Sequence, residues 1–333
     1  MKSAPLSRWL HAFFHEWLTQ QRNCSPHTIL SYRDTWRLYL RYVAGQHRRS
    51  VSELTLEELT AAEVLAFLKH LEAERHDQIG TRNCRLAAIR SFYRYLADQE
   101  PLAAAQCAAV LQIPMKKAVK PAVNYLDSEE VTAILRQPDR STVEGQRDHA
   151  LLALLYNTGA RIQEALTLTP GAVRLAAPAH VKLHGKGRKE RISPLWPETA
   201  QLLAALLRRQ PRQEHERLFL NRYGRPLGAA GVRYKLENYV AAAAKGLPSL
   251  RGKRITPHTF RHTAGVQLVA AGVDVTVIRN WLGHVSLDTT NHYARANLET
   301  KRRAIELIDR STRPGKPPRW RRNPNLMAWL DSL

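Results

Sequence analysis

Val181-Lys-Leu-His-Gly-Lys-Gly-Arg-Lys-Glu-Arg-Ile192 is the stretch that sets the fold class. Polar and apolar residues alternate on either side of Gly185 and Gly187, a period of two that suits paired strands, so the segment reads as a β-hairpin with Lys186 at its tip. The sequence around it has helical periodicity. Downstream, helix periodicity returns from Thr199 onward. Upstream, Ala150 to Tyr156 is an apolar run short enough for a buried helix, and Asp127-Ser-Glu-Glu130 opens an earlier helix with a capping pattern. The chain therefore reads as mainly α with a small β-sheet.

The first half is helical throughout, from Trp9 to about Leu96. Tyr32, Trp36, Tyr39 and Val43 follow one another at spacings that share a helix face, and Leu86, Ile89, Tyr93 and Leu96 repeat the pattern. Between them Thr60-Ala-Ala-Glu63 reads as a capping box for a helix that turns Val64, Leu68 and Leu71 inward. Arg82, Arg90 and Arg94 lie off the second apolar stripe, so that helix would face a core with one side and a phosphate backbone with the other. A solvated charged face is the competing reading. Pro101 to Pro121 has weak periodicity, three prolines and the cluster Lys116, Lys117 and Lys120, which reads as a basic linker. Four parts result: a helical domain over 1–100, the linker over 101–121, a second domain over 122–312, and a tail over 313–333. In the tail, Arg313 to Pro324 reads as an extended tether, and Leu326, Trp329, Leu330 and Leu333 form one apolar face of a short helix that must dock to be stable.

Charge narrows the class of partner. With 51 Lys+Arg against 29 Asp+Glu the 333 residues carry +22 at neutral pH, which points to a polyanion and first to nucleic acid. A membrane surface is the lesser alternative, since it usually wants a polybasic amphipathic helix or a lipid anchor, and the sequence shows no myristoylation or prenylation motif and no apolar run of membrane-spanning length. The segment Met1 to Leu18 is broken by His11, His15 and Glu16, which makes it a poor signal peptide. Cys24, Cys84 and Cys107 are isolated and odd in number, so neither a disulfide framework nor a zinc ribbon is expected, and a reducing cytoplasm is the expected setting.

The chemistry concentrates in the second half. Arg161, Lys186, His258, Arg261, His284 and Tyr293 supply cations, proton carriers and one phenol, a set suited to attack on a phosphodiester. Tyrosine ordinarily ionises near pH 10, so the phenol needs a base and fixed cations around it. Each residue also has a plainer reading: Arg161 as a surface cation, Lys186 as a solvated hairpin tip, Tyr293 as a half-buried core phenol. Gly185-Lys186-Gly187 is no nucleotide-binding loop, since the leading glycine is missing and neither Gly187 nor Arg188 supplies a hydroxyl. His258 and His262 are spaced for one helical face, but Arg261 lies between them and the glutamate of a zinc-protease motif is absent, so no metal and no cofactor is expected.

Read together, Thr158-Gly-Ala-Arg161-Ile-Gln-Glu164, Gly185-Lys186-Gly187, Thr256-Pro-His258-Thr-Phe-Arg261-His262, Leu282-Gly-His284 and Tyr293 resemble the tyrosine recombinases, the family of phage integrases and Xer-type enzymes. Gln163 stands where many members carry serine. The resemblance implies a SAM-like, helical core-binding domain followed by an α+β catalytic domain, the two clamping double-stranded DNA. It further implies that Tyr293 attacks the scissile phosphate to form a 3′-phosphotyrosyl bond while Lys186 protonates the departing 5′-oxygen. Arg161 and Arg261 would grip the non-bridging oxygens, His258 would accept the phenolic proton, His284 would donate to a non-bridging oxygen, and Glu164 would orient the site. Arg82, Arg90, Arg94, Lys116, Lys117, Lys120 and Arg188 are the expected DNA contacts outside the chemistry. A tetramer on DNA is implied, homomeric or with a related recombinase, with the tail docked in trans on a neighbour. Two other readings compete. A type IB topoisomerase would use a similar tyrosine as a monomer, and a non-catalytic regulator would use Ala270 to Trp281 as a helix-turn-helix.

Overall fold

The computed structural model describes residues 5–118, 124–185 and 190–283. Lys120, Lys186, Arg188, His284, Tyr293 and the tail over 313–333 lie outside the described residues. The chain divides into two compact units, Met1–Lys120 and Pro121–Leu333. No helix among the described residues is long and apolar enough to cross a membrane.

The first unit is all helix. α1 (Leu6–His11) runs into a π-helical segment (Ala12–Gln21), followed by α2 (Pro26–His47), α3 (Ala61–Ala73), α4 (Ile79–Gln99) and α5 (Ala104–Gln112). Ser25 starts α2 by accepting from the Thr28 amide at 3.2 Å, with Pro26 at the first helical position where its missing N–H costs nothing. Thr60 caps α3 through the Glu63 amide, but the Glu63 carboxylate meets His47 at 3.2 Å and does not close the expected box. The two predicted stripes converge on an aromatic core: Trp36, Tyr39 and Val43 from α2, and Leu86, Ile89, Phe92, Tyr93 and Leu96 from α4, all buried. Phe92 sits at its centre, edge-on to Trp36 at 4.6 Å and to Phe13 at 5.4 Å.

The linker expected from Pro101 needs correction. Residues 101–113 belong to this unit: Pro101–Ala103 makes a short turn of helix, α5 follows, and Ala103, Cys107, Val110 and Ile113 are buried in the aromatic core. The stripe is weak in the sequence because alanines dilute it, yet its spacing of four, three and three is helical.

Among its described residues the second unit places seven α-helices and three strands around a leucine-rich core. They are α6 (Ser128–Leu135), α7 (Val143–Thr158), α8 (Ile162–Leu166), β1 (Val173–Arg174), β2 (His180–His184), β3 (Glu190–Pro194), α9 (Pro197–Arg209), α10 (Ala229–Gly246), α11 (Pro257–Ala270) and α12 (Val275–Leu282). The strands form one antiparallel sheet in the order β1-β2-β3, so the predicted hairpin is present. Its register pairs Val181 with Ser193 and Leu183 with Arg191, which puts Arg191 on the face toward the core and leaves Ile192 66% exposed. The Asp127 capping box forms in full: the Glu130 amide donates to Asp127 at 2.8 Å and the Asp127 amide donates back to Glu130 at 3.1 Å. Glu130 is itself buried and takes a pair of bonds from the Lys253 ammonium, which fastens α6 to the approach of α11. Asp148 on α7 is a second buried carboxylate, held by Arg147 at 2.6 Å, by Lys235 at 2.7 Å and by the Tyr239 hydroxyl at 2.8 Å.

The stretch from Ala270 to Trp281, read as a helix-turn-helix, holds the last residue of α11, a turn and most of α12. Gly272 takes φ of +79° in the turn, a conformation that favours glycine, and Asp274 caps α12 through the Thr276 amide at 2.8 Å. Val266 and Val269 pack on Ile278 and Leu282, so the turn is locked by its own small apolar cluster.

Candidate active site

Three segments far apart in sequence meet at the C-terminal end of α12. The first is the junction of α7 and α8. α7 ends at Gly159, whose φ of +60° turns the chain; a Cβ there would come within 2.4 Å of the Leu282 side chain, so Thr158-Gly-Ala-Arg161 needs its glycine for conformation and for space. Two residues later Arg161 occupies the N-cap of α8. Its amide donates to Glu164 Oε2 at 2.8 Å and its Nη1 donates to Oε1 at 2.7 Å, while Nη2 reaches the Gly283 carbonyl at 3.2 Å. The guanidinium stays about one-third exposed, at 35%.

The second segment is α11, started by Thr256 and Pro257, with His258 in its first turn and Arg261 in its second. Arg261 is 1% exposed and is held by two carbonyls, Gly159 through Nη1 at 2.7 Å and Leu282 through Nη2 at 2.6 Å. Both acceptors end helices, α7 and α12, where unpaired carbonyls make the negative pole that suits a cation. His258 leaves an open edge to solvent, yet its pKa lies below the usual 6.5: partial burial of the ring disfavours the charged form, and the Arg261 and Arg161 guanidiniums oppose protonation further. His262 packs edge-on to His258, with ring centroids 4.3 Å apart. Among the described residues no group of three or more His, Cys, Asp or Glu is arranged to hold a metal ion.

The third segment is β3. Arg191 donates from Nη2 to Glu164 Oε2 at 2.7 Å and from Nε to the Trp281 carbonyl at 2.9 Å. Glu164 is 4% exposed; burial alone would raise its pKa, but hydrogen bonds and charge from Arg191, then the amide and guanidinium of Arg161, hold it below the usual carboxylate value. Sequence reasoning missed Arg191. Its run, Arg188-Lys189-Glu190-Arg191, is uniformly charged, and only the strand register picks out Arg191 as inward-facing.

Of the predicted residues, Arg161, Glu164, His258 and Arg261 are therefore brought together, while Lys186, His284 and Tyr293 lie outside the described residues. The expected DNA contacts of the first unit divide. Arg94, Lys116 and Lys117 are exposed, and Arg90 is half-buried. Arg82 is a correction: it is buried at 4%, donates to the Asn83 side chain and the Pro114 carbonyl, and pairs with Glu72 at 3.4 Å. It lies off the apolar stripe, but α5 and the chain after it close over that side of α4. Lys116 also pairs with Glu72, at 2.6 Å. Exposed cations that the sequence reading passed over include Arg33, Arg37 and Arg41, four apart on α2, and Arg222, Arg225 and Arg233 beside the exposed rings of Tyr223 and Tyr234.

Comparison with known proteins places this geometry. Residues 124–300 match the model of the phage integrase family, and residues 12–100 match that of the phage integrase N-terminal SAM-like domain. The chain is 42% identical over 332 residues to a protein of Sinorhizobium fredii (strain NBRC 101917 / NGR234) named "Putative integrase/recombinase y4rC", covering 100% of this chain and 99% of the relative. It is 33% identical over 294 residues to tyrosine recombinase XerC of Myxococcus xanthus, covering 86% of this chain and 92% of the relative. Its fold is shared with XerH site-specific recombinase in a post-cleavage complex with palindromic difH substrate, at a TM-score of 0.66 and 20% identity over 86% of this chain and 82% of that one. The Tn1549 transposon integrase in complex with transposon right end DNA superposes at a TM-score of 0.68 and 16% identity, over 92% of this chain and 100% of that one. On both domain matches and on relatives that span nearly its whole length, the chain belongs to the phage integrase family, the tyrosine recombinases.

Proposed function

We propose that the chain is a site-specific DNA recombinase that breaks and rejoins double-stranded DNA through a 3′-phosphotyrosyl intermediate. One observation carries the reading: Arg161 and Arg261, from different elements, are fixed on the end of one helix beside a histidine whose proton is weakly held. Two guanidinium forks set before substrate arrives are what a phosphodiester needs as negative charge builds on its non-bridging oxygens. A neutral imidazole among them suits a proton acceptor at neutral pH. In the proposed step the Tyr293 oxygen bonds to phosphorus as its proton passes to His258; the bond to the 5′-oxygen breaks, and Lys186 supplies that oxygen with a proton. His284 donates to a non-bridging oxygen. The new ester keeps the bond energy, so a second 5′-hydroxyl reverses the chemistry on a new strand without a nucleotide cofactor.

Arg94, Lys117, Lys120 and Arg188, with the exposed arginines of α2, are the proposed phosphate contacts, and affinity falls steeply with salt. Strand exchange requires two duplexes, hence four protomers, with the tail of 313–333 docked on a neighbour in the cytoplasm. The helical unit Met1–Lys120, as the clamp, and the catalytic unit from Pro121 onward divide this work. Similarity along nearly the full length to proteins named integrases and recombinases favours this reading over a type IB topoisomerase or a non-catalytic regulator.

The test is covalent trapping. Mixed with nicked duplex oligonucleotides from the flanks of its own gene, the full chain forms a denaturant-resistant adduct that Tyr293→Phe cannot form. A wild-type chain that yields no adduct on such DNA overturns the proposal.

A further inference from the structure

The last turn of α12 presents three successive carbonyls, and each accepts from a different arginine. Trp281 accepts from Arg191 at 2.9 Å, Leu282 from Arg261 at 2.6 Å and Gly283 from Arg161 at 3.2 Å. Two of these arginines are the proposed phosphate clamp. The third comes from the sheet and has no part in the chemistry proposed above.

We propose that Arg191 is a positioning residue for the Arg161 guanidinium, acting through Glu164 and through the last turn of α12; the assignment rests on the recombinase reading. Glu164 Oε1 aligns Arg161 from one side and the Gly283 carbonyl aligns it from another. Both anchors depend on Arg191. It takes Glu164 Oε2, so that a carboxylate only 4% exposed remains ionised with both oxygens engaged. It also ties the α12 end in place through the Trp281 carbonyl. The fit is close: Gly283 has φ of +63°, and a Cβ on it would lie 3.3 Å from Arg191 Cδ and Nη1. With Arg191 gone, Glu164 would sit buried with Arg161 as its one cationic partner, and the pull on Arg161 would shift toward the carboxylate and away from substrate.

The side chain must be arginine for a geometric reason. Nε and Nη2 of one planar fork reach acceptors on two separate elements, α12 and α8. A lysine ammonium has charge enough for Glu164 but no rigid second donor for the Trp281 carbonyl.

The experiment uses the full chain, nicked duplex oligonucleotides from the flanks of its own gene, and the rate of covalent adduct formation. Arg191→Gln is expected to slow the adduct by about a hundredfold, the typical effect of misplacing a catalytic group by about an ångström. Arg191→Lys is expected to fall between Arg191→Gln and wild type. Two readouts separate positioning from general damage. A methylphosphonate at the scissile position removes one negative charge, so it reduces the deficit of Arg161→Ala, and it should reduce that of Arg191→Gln in proportion. The double variant Arg161→Ala/Arg191→Gln should be no slower than Arg161→Ala alone. A deficit that is the same on both substrates, or that multiplies with Arg161→Ala, overturns the assignment. If Arg191→Gln fails to fold by thermal unfolding, Arg191→Lys, which keeps a cation beside Glu164, is put through the same two comparisons. Loss of adduct in the wild-type chain itself would overturn the recombinase reading, whereas a wild-type adduct with an unaffected Arg191→Lys and Arg191→Gln would sink only Arg191.

Discussion

The two units of this chain solve burial in opposite ways. The first fills its interior with rings, Phe13, Trp36, Tyr39, Phe67, Phe92 and Tyr93, and buries one charged side chain, Arg82, among the described residues. The second has a mostly aliphatic interior and buries Glu130, Arg147, Asp148, Glu164 and Arg261. An aromatic core can be close-packed with little further demand, whereas each buried ion needs a partner or a helix end to remain charged. The first unit is thus a scaffold that carries cations outward, and the second is built around cations whose directions are fixed in advance. Ion pairs are a poor route to stability alone, so the pairs of α7 and α8, with the arginines held on the carbonyls that end α12, point to orientation as their purpose.

The largest expected effects test whether that contrast is real. Phe92→Ala should cost about 3–5 kcal/mol of stability, as loss of a buried ring does. Asp148→Ala should cost a similar amount, about 3–5 kcal/mol, because Arg147 would be left buried with no carboxylate beside it. Denaturant unfolding of the full chain measures both, and an Asp148→Ala loss below about 1 kcal/mol would break the comparison. Next in size is Arg261→Lys, which keeps charge but cannot bridge the Gly159 and Leu282 carbonyls. Adduct formation should slow by roughly 10²- to 10³-fold while duplex binding changes little.

pH sharpens the contrast further. Glu164 has a pKa held below the ordinary carboxylate value of 4.5, so the stability it contributes is complete above that pH and is lost as pH falls through its depressed folded value. Unfolding followed from pH 5 downward should show this loss, and Glu164→Gln should remove that part of the slope. His258 moves activity in the opposite sense. Its pKa is held below 6.5, so the midpoint of the acid limb of adduct formation should lie below that of an ordinary histidine. Arg161→Ala removes one of the cations that oppose protonation, and the acid limb of the remaining activity should shift upward. An unmoved limb would mean that another group sets it.

How far these features were legible depended on periodicity. The α2 and α4 stripes and the hairpin around Gly185 were readable because burial imposes a period of 3.6 or 2 on apolar residues. α5 was missed because alanines blur such a pattern, although Cys107 and Val110 are buried all the same. In the site, Arg161, Glu164, His258 and Arg261 were readable because the strings that hold them resemble the motifs of the tyrosine recombinases. Arg191 was not, since its partners come from α8 and α12, and nothing local distinguishes it from the charged residues beside it. Arg82 failed for a related reason: a residue off the apolar stripe is exposed only if no later segment covers it, and α5 with its following turn does so.

Arg82 and Arg94 therefore form the finest test, since they lie on the same helix and differ only in what covers them. Arg82 donates to the Pro114 carbonyl and pairs with Glu72, so Arg82→Ala should cost about 1.5–3 kcal/mol of stability, the range for hydrogen bonds to charged groups. It should leave the salt dependence of DNA binding unchanged. Arg94 is exposed, and its removal should leave stability alone while lowering the slope of log K against log salt by about 1, the loss of one phosphate contact. Binding titrations at several salt concentrations measure the second effect and denaturant unfolding the first. If the slope responds to Arg82→Ala instead, α5 does not cover that side of α4 when DNA is bound, and the division between inward and outward cations in this unit would have to be redrawn.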